Sequence, residues 1–229
     1  MFERINGLDL CSLRERLPGG VPQRHLVWIM RRVLSVLGWA HKNGILRGNV
    51  EPTHLLVRPA DHNVWLVDWS WAIVEPAKTG RTFRCLNEDY GPPEARDRKA
   101  PLPSSDLHSL GKAMIYAAGG DPATNPRPDT VDLRLQRFLR FFVVESALGR
   151  AGDAWDMSQQ LDNLREEVFG RHAFLALEVQ ITGAVSWVVE STVKTSRRRT
   201  GRQRRETRLR SKRTSRARAR RRSTRRRSR

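Results

Sequence analysis

The feature that most limits the fold is one stretch, residues 44–70, which reads G-I-L-R-G-N-V-E-P-T-H-L-L-V-R-P-A-D-H-N-V-W-L-V-D-W-S. Two short apolar runs, residues 55–57 and 64–67, flank a polar tip at Asp61, His62 and Asn63. Apolar runs closed by a polar turn predict a β-hairpin. A tight polar loop, residues 47–54, precedes the first run, and Asp68 follows the second. The hairpin therefore holds a loop and a carboxylate side by side, an arrangement suited to a phosphate and metal site.

In these residues the chain resembles the lower lobe of a protein kinase. That family carries a catalytic loop H-R-D-L-x-x-x-N and a metal-binding D-F-G. Residues 47–54 fill the first motif and Asp68, Trp69 and Ser70 the second, at matching spacing. The reactive groups differ. Asn49 stands at the proton-accepting Asp, Glu51 at the loop Lys, and His54 at the metal-binding Asn. Gly48 replaces the loop Arg that receives an activating phosphate in many kinases, so Thr79, Thr82 and Tyr90 read as exposed loop residues.

An amide has no basic lone pair at neutral pH, so Asn49 can orient a hydroxyl but cannot take its proton. The resemblance brings ATP and magnesium as cofactors, with Asp68 as the retained ligand and His54 in the amide's place. The residues present commit the chain to neither. Capping of the turn at Trp69 and Ser70 is the alternative role for Asp68. No ligand spacing supports a transition-metal site at His54, His62 and Asp68. Alternation along a strand places Trp65, Trp69 and Trp71 in the core or a cleft wall.

Helical periodicity surrounds the hairpin. Leu8, Leu10, Leu13 and Leu17 form a short amphipathic segment closed by Pro18, Gly19 and Gly20. Pro22 opens a helix running to about Asn43, with Leu26, Ile29, Met30, Val33, Leu37 and Ala40 on one face. His41, one turn before the loop, reads as a buried, hydrogen-bonded side chain. Residues 71–90 have the length of an activation segment, and Gly91, Pro92, Pro93 and Glu94 resemble A-P-E. Residues 105–111, S-D-L-H-S-L-G, resemble the start of the family's central buried helix, with Asp106 as its structural acid. Further helices are expected over residues 133–148 and 157–168. Arg150 occupies the region where the family keeps an Arg paired with the A-P-E Glu, here Glu94.

The resemblance covers residues 5 to about 170. It implies a mainly α fold with a small β-hairpin, a kinase-like C-lobe without the N-lobe. No Gly-rich strand pair, V-A-I-K Lys or Glu-bearing helix precedes residue 5. Residues 1–170 are read as the lobe, 171–195 as an apolar linker or helix, and 196–229 as a disordered basic tail.

Charge separates the tail from the rest. The net charge is +19, yet residues 194–229 hold twenty Lys or Arg and one acid, leaving 23 of each sign in residues 1–193. Arg197, Arg198, Arg199, Arg204, Arg205, Arg220, Arg221, Arg222, Arg225, Arg226 and Arg227 lie in Ser/Thr-spaced clusters with almost nothing apolar to bury. Such a segment is expected to stay disordered and to bind nucleic acid or another polyanion by releasing counterions. An incidental low-complexity extension is the plainer alternative.

Cys11 and Cys85 are too few for a disulfide framework, and the first ten residues lack the basic start and apolar run of a signal peptide. Residues 173–193 are interrupted by Glu178, Gln180 and Glu190, and the clean run 181–189 is about half the ~20 residues of a spanning helix. A cytoplasmic location without a membrane anchor is expected. The sequence is read first as a degraded kinase-like lobe that binds or scaffolds, with a protein partner on its exposed surface. An atypical or split Ser/Thr kinase, and a nucleic-acid-associated protein acting through its tail, are the alternatives.

Overall fold

The computed structural model describes residues 5–125 and 128–179. It is helix-rich, with two small antiparallel sheets. β1 (Leu8–Asp9) leads directly into α1 (Leu10–Arg16), whose first turn is capped where Asp9 accepts from the Ser12 backbone N–H. α2 (Gln23–Lys42) buries Leu26, Ile29, Met30, Val33, Leu34 and Leu37 at helical spacing and leaves its arginines outside. β2 (Ile45–Leu46) brings the chain to the polar loop. A 3-10 turn at Pro52–His54 then starts β3 (Leu55–Arg58), which returns as β4 (Asn63–Leu66).

The expected hairpin is present with Leu55 opposite Leu66 and Arg58 opposite Asn63. It is also widened, because β1 adds on the other edge of β3 with Leu8 opposite Val57. A strand of two residues lies within the segment read as amphipathic helix, and only its partner reveals it. β5 (Ile73–Val74) pairs with β2, so the segment after Asp68 begins in register with the polar loop. The short helices α3 (Pro76–Thr79) and α4 (Pro93–Arg96) follow.

The centre of the helical half is α5 (Pro103–Ala117). Nearly every side chain on it is buried, including Ser104, Ser105, Asp106, His108, Ser109 and Lys112. It packs on α2 and on α6 (Leu133–Phe142). The approach to α6 needs Gly111, where a Cβ would come within 2.5 Å of the Phe142 side chain. α7 (Ala154–Phe169) closes the lobe against α2 through Met157 and Leu161.

Three expectations are corrected here. The helix read over 133–148 stops at Phe142, because the carbonyls of Val144 and Glu145 turn inward to the Arg150 guanidinium. α7 starts earlier than residue 157, where Asp153 caps it by accepting from the Asp156 N–H. Tyr90 is half-buried, edge-on to Tyr116, and burial raises its hydroxyl pKa. Trp65, Trp69 and Trp71 are each half-buried. Beyond residue 170 the chain still packs, since Leu177 is buried in the same core. No helix among the described residues is long and apolar enough to cross a membrane.

Candidate functional site

The polar loop is suspended from α5 by a single carboxylate. Asp106 Oδ2 accepts from the Arg47 backbone N–H at 2.7 Å, and Oδ1 accepts from the Gly48 N–H at 2.8 Å. His41 Nε2, on the last turn of α2, meets the same Oδ2 at 2.9 Å. Asp106 thereby ties two helices to the loop with its side chain 3% exposed. Gly48 sits at φ +77, and a Cβ there would lie 2.7 Å from the Trp71 carbonyl oxygen. The loop can follow this path only without a side chain at residue 48. Gly48 is thus the residue that this backbone geometry requires.

Arg47 turns inward and is fully buried. One terminal nitrogen donates to the Val67 carbonyl at 2.9 Å and to His54 Nδ1 at 2.8 Å. Nε and the other terminal nitrogen are buried without a partner. Burial pulls the guanidinium pKa down, while Asp68, Asp106 and Glu51 hold it up. Arginine keeps its charge under such conditions.

That contact decides the state of His54. A guanidinium can only donate, so Nδ1 must present its lone pair and the ring proton resides on Nε2. Nε2 lies 3.3 Å from Glu51 Oε1 and 3.3 Å from Asp68 Oδ2. Asp68 itself, in a left-handed conformation at φ 54, accepts from the Ser70 hydroxyl at 2.6 Å and from its N–H at 3.4 Å. The Ser70 bonds hold its carboxyl below the usual range, and His54 and Arg47 add to the effect. Asp68 thus caps its own turn and faces an internal cation.

Across the loop, Asn49 and Glu51 are joined by a residue that sequence reasoning did not select. The Asn87 amide donates to Asn49 Oδ1 at 3.1 Å and to Glu51 Oε2. Its own oxygen accepts from the Tyr90 N–H at 3.0 Å. Thr53 donates to the other Glu51 oxygen at 2.6 Å. The segment before Gly91 is therefore fastened onto the loop at Asn49 and Glu51.

This constellation does not fit magnesium. A hard divalent cation takes oxygen ligands. His54 offers a nitrogen already used by Arg47 and a second that carries a proton. Of the two carboxylates at Nε2, Glu51 accepts from Thr53 and Asn87, and Asp68 accepts from Ser70. No group of three or more His, Cys, Asp or Glu suited to a metal occurs among the described residues. His62 is remote from this cluster, stacked on Trp28 at the hairpin tip with ring centroids 4.0 Å apart. What the loop can do chemically is orient a polar group through Asn49 and Glu51, without accepting a proton at neutral pH through the amide.

Glu94 and Arg150 form a buried ion pair, their side chains 6% and 0% exposed. Ser105 donates to the same Glu94 oxygen at 2.6 Å, and Arg150 Nε donates to the Ser104 carbonyl at 3.1 Å. One pair thus clamps α4, the start of α5 and the turn before α7. Of the residues singled out from sequence, the structure gathers Asn49, Glu51, His54 and Asp68 about one loop, with Asp106 behind it and the Glu94–Arg150 pair apart. Arg47 and Asn87 were missed. Arg47 had one signal, a charged residue in an otherwise apolar approach, and Asn87 had none. The arginines between 197 and 227 lie outside the described residues.

Comparison with known proteins agrees in direction. Over 117 residues the chain is 28% identical to an Aurora kinase of Schizosaccharomyces pombe, covering 47% of this chain and 32% of that protein. Over 94 residues it is 26% identical to a probable casein kinase II subunit alpha homolog of Encephalitozoon cuniculi, covering 41% and 28%. The chain spans about a third of the length of these relatives. No family model matches. These likenesses are partial and support a protein kinase-like relationship.

Proposed function

We propose that residues 5–179 form a kinase-like lower lobe that has lost phosphotransfer chemistry and acts as a binding or scaffolding module for a protein partner. The observation that carries this reading is the closed network on the loop. An amide stands at the proton-accepting position and is bonded to Asn87. The metal-ligand position is a histidine pinned between Arg47 and two carboxylates. Phosphoryl transfer depends on positioning and on neutralising charge with metal ions, and both means are diverted here into internal contacts.

The test is nucleotide binding and phosphotransfer by the full chain. Magnesium–ATP at a hundred times its dissociation constant would stabilise a binder by about 2.7 kcal/mol, an easily read melting shift. No such shift and no transfer to a generic Ser/Thr substrate are expected, and Asn49→Asp is expected to restore neither. An ATP-dependent shift that disappears in Asp68→Ala would overturn the reading in favour of an atypical or split kinase.

A second reading concerns the tail and rests on the twenty basic residues between 194 and 229. It assigns polyanion binding to that segment, with log affinity for duplex DNA falling linearly with log salt, by about 0.9 per phosphate neutralised. Deletion of residues 196–229 is expected to abolish DNA binding and leave lobe melting unchanged. Equal binding after deletion would remove this role.

A further inference from the structure

Away from the loop, a cleft of about 580 Å³ opens between the start of α2, the hairpin tip, the end of α7 and residues 171–175. That volume falls within the few hundred to a thousand Å³ of small-molecule sites. Its walls carry five arginines, Arg24, Arg31, Arg32, Arg165 and Arg171, against three carboxylates.

The carboxylates do not balance the arginines. Asp162 is taken by Arg31 at 2.7 Å, with Arg165 3.9 Å from the same oxygen. Asp61 is taken from outside the cleft by Arg58, whose Nε donates to it at 2.9 Å. Glu166 alone is left to face the rest. Arg24 and Arg165 spend donors on the Phe169 and Gly170 carbonyls, each at 3.3 Å. Arg32 and Arg171 have no ion pair or hydrogen bond among the described residues.

The floor is aromatic. His62 lies between Trp28 and Phe174, with centroids 4.0 and 4.4 Å away, and its Nε2 is buried without a partner. Burial is the main cause that lowers the pKa of His62 and His25; Arg32 and His172 add to it at His62, where the Leu175 backbone and Asp61 oppose it, and His62 and Arg24 add to it at His25. Arginines of α2 and of the stretch from the end of α7 to residue 171 converge on one concavity. Guanidinium is the side chain that matches phosphate oxygens in paired hydrogen bonds.

We propose that this cleft binds a phosphate-bearing ligand, held by Arg32 and Arg171 with Arg24 and Arg165 over an aromatic floor. The assignment is independent of the kinase likeness, because no residue of the polar loop lines the cleft. Trp28 supplies a local reporter. Titrating the full chain with pyrophosphate, and separately with a phosphoserine peptide of equal charge, is expected to change Trp28 fluorescence and raise the melting temperature of the lobe.

Arg32 and Arg171 are exposed, so Arg32→Gln with Arg171→Gln should melt like the parent without ligand. That double variant is expected to bind at least about tenfold more weakly, a difference of about 1.4 kcal/mol. Trp28→Phe should abolish the optical change while binding, read by melting, persists. The tail's cations are identical in all these proteins, so they cannot produce the difference. Tighter binding of pyrophosphate assigns the phosphate to a small molecule, and tighter binding of the peptide assigns it to a phosphoprotein. Equal affinity in the parent and the double variant, or no change in melting with either probe, overturns the site.

Discussion

Two aspartates touch the same loop and have opposite surroundings. Asp106 is 3% exposed and its three donors are two backbone N–H groups and a buried histidine. Asp68 is 39% exposed and its donors are a neighbouring hydroxyl, its N–H and the edge of His54. The first defines where the backbone runs. The second caps its own turn. The two faces of the loop thus draw on different partners, one fixing the backbone and the other capping the turn that follows.

The largest effect is expected on the anchoring side. Glu94→Gln leaves the Arg150 charge buried without its partner, and such a break typically costs about 3–5 kcal/mol. Urea unfolding of Glu94→Gln, Arg150→Met and the double variant would measure it, with the double variant less damaged than either single change. Additive losses would show that the two residues are not coupled.

Next comes Asp106→Asn, which keeps the shape and loses one acceptor. Each buried donor left unpaired costs about 1–3 kcal/mol. Asp68→Ala should hardly move the unfolding midpoint, since water can replace what it holds. Equal losses from the two changes would erase the contrast between the two faces.

Acid provides a smaller and graded test. His108 is buried on α5, with burial first and then Arg150, Lys112 and Arg96 pushing its pKa down to about 3 from 6.5. The unfolded chain therefore binds a proton at higher pH than the folded lobe does. Stability from this group is fully present above about pH 6.5 and is lost as pH falls toward 3. Burial lowers His25 and His62 as well, so they act with the same sign. The midpoint in urea should fall with pH across that window, and His108→Leu should flatten the slope. An unchanged slope would mean that His108 is not held neutral.

The loop was legible in the sequence because its pattern is local. Two apolar runs closed by a polar turn are enough to predict the hairpin, while the choice of Asn49, Glu51, His54 and Asp68 came from the resemblance to the kinase motifs. The partners of those residues were not legible. Asn87 reaches the loop from 38 residues away through a segment without periodicity. β1 is two residues long, too short to carry an alternation, and exists only because β3 offers it an edge.

What the sequence determined by itself is the hairpin and the buried face of α2. These follow from periodicity and residue type, which act over a few neighbouring positions. The tertiary structure alone decided that Arg47 turns inward. That contact takes up His54 Nδ1. The arginines of the distant cleft likewise converge only in three dimensions. Burial and convergence of charge depend on contacts between segments far apart in the chain, and no local pattern encodes them.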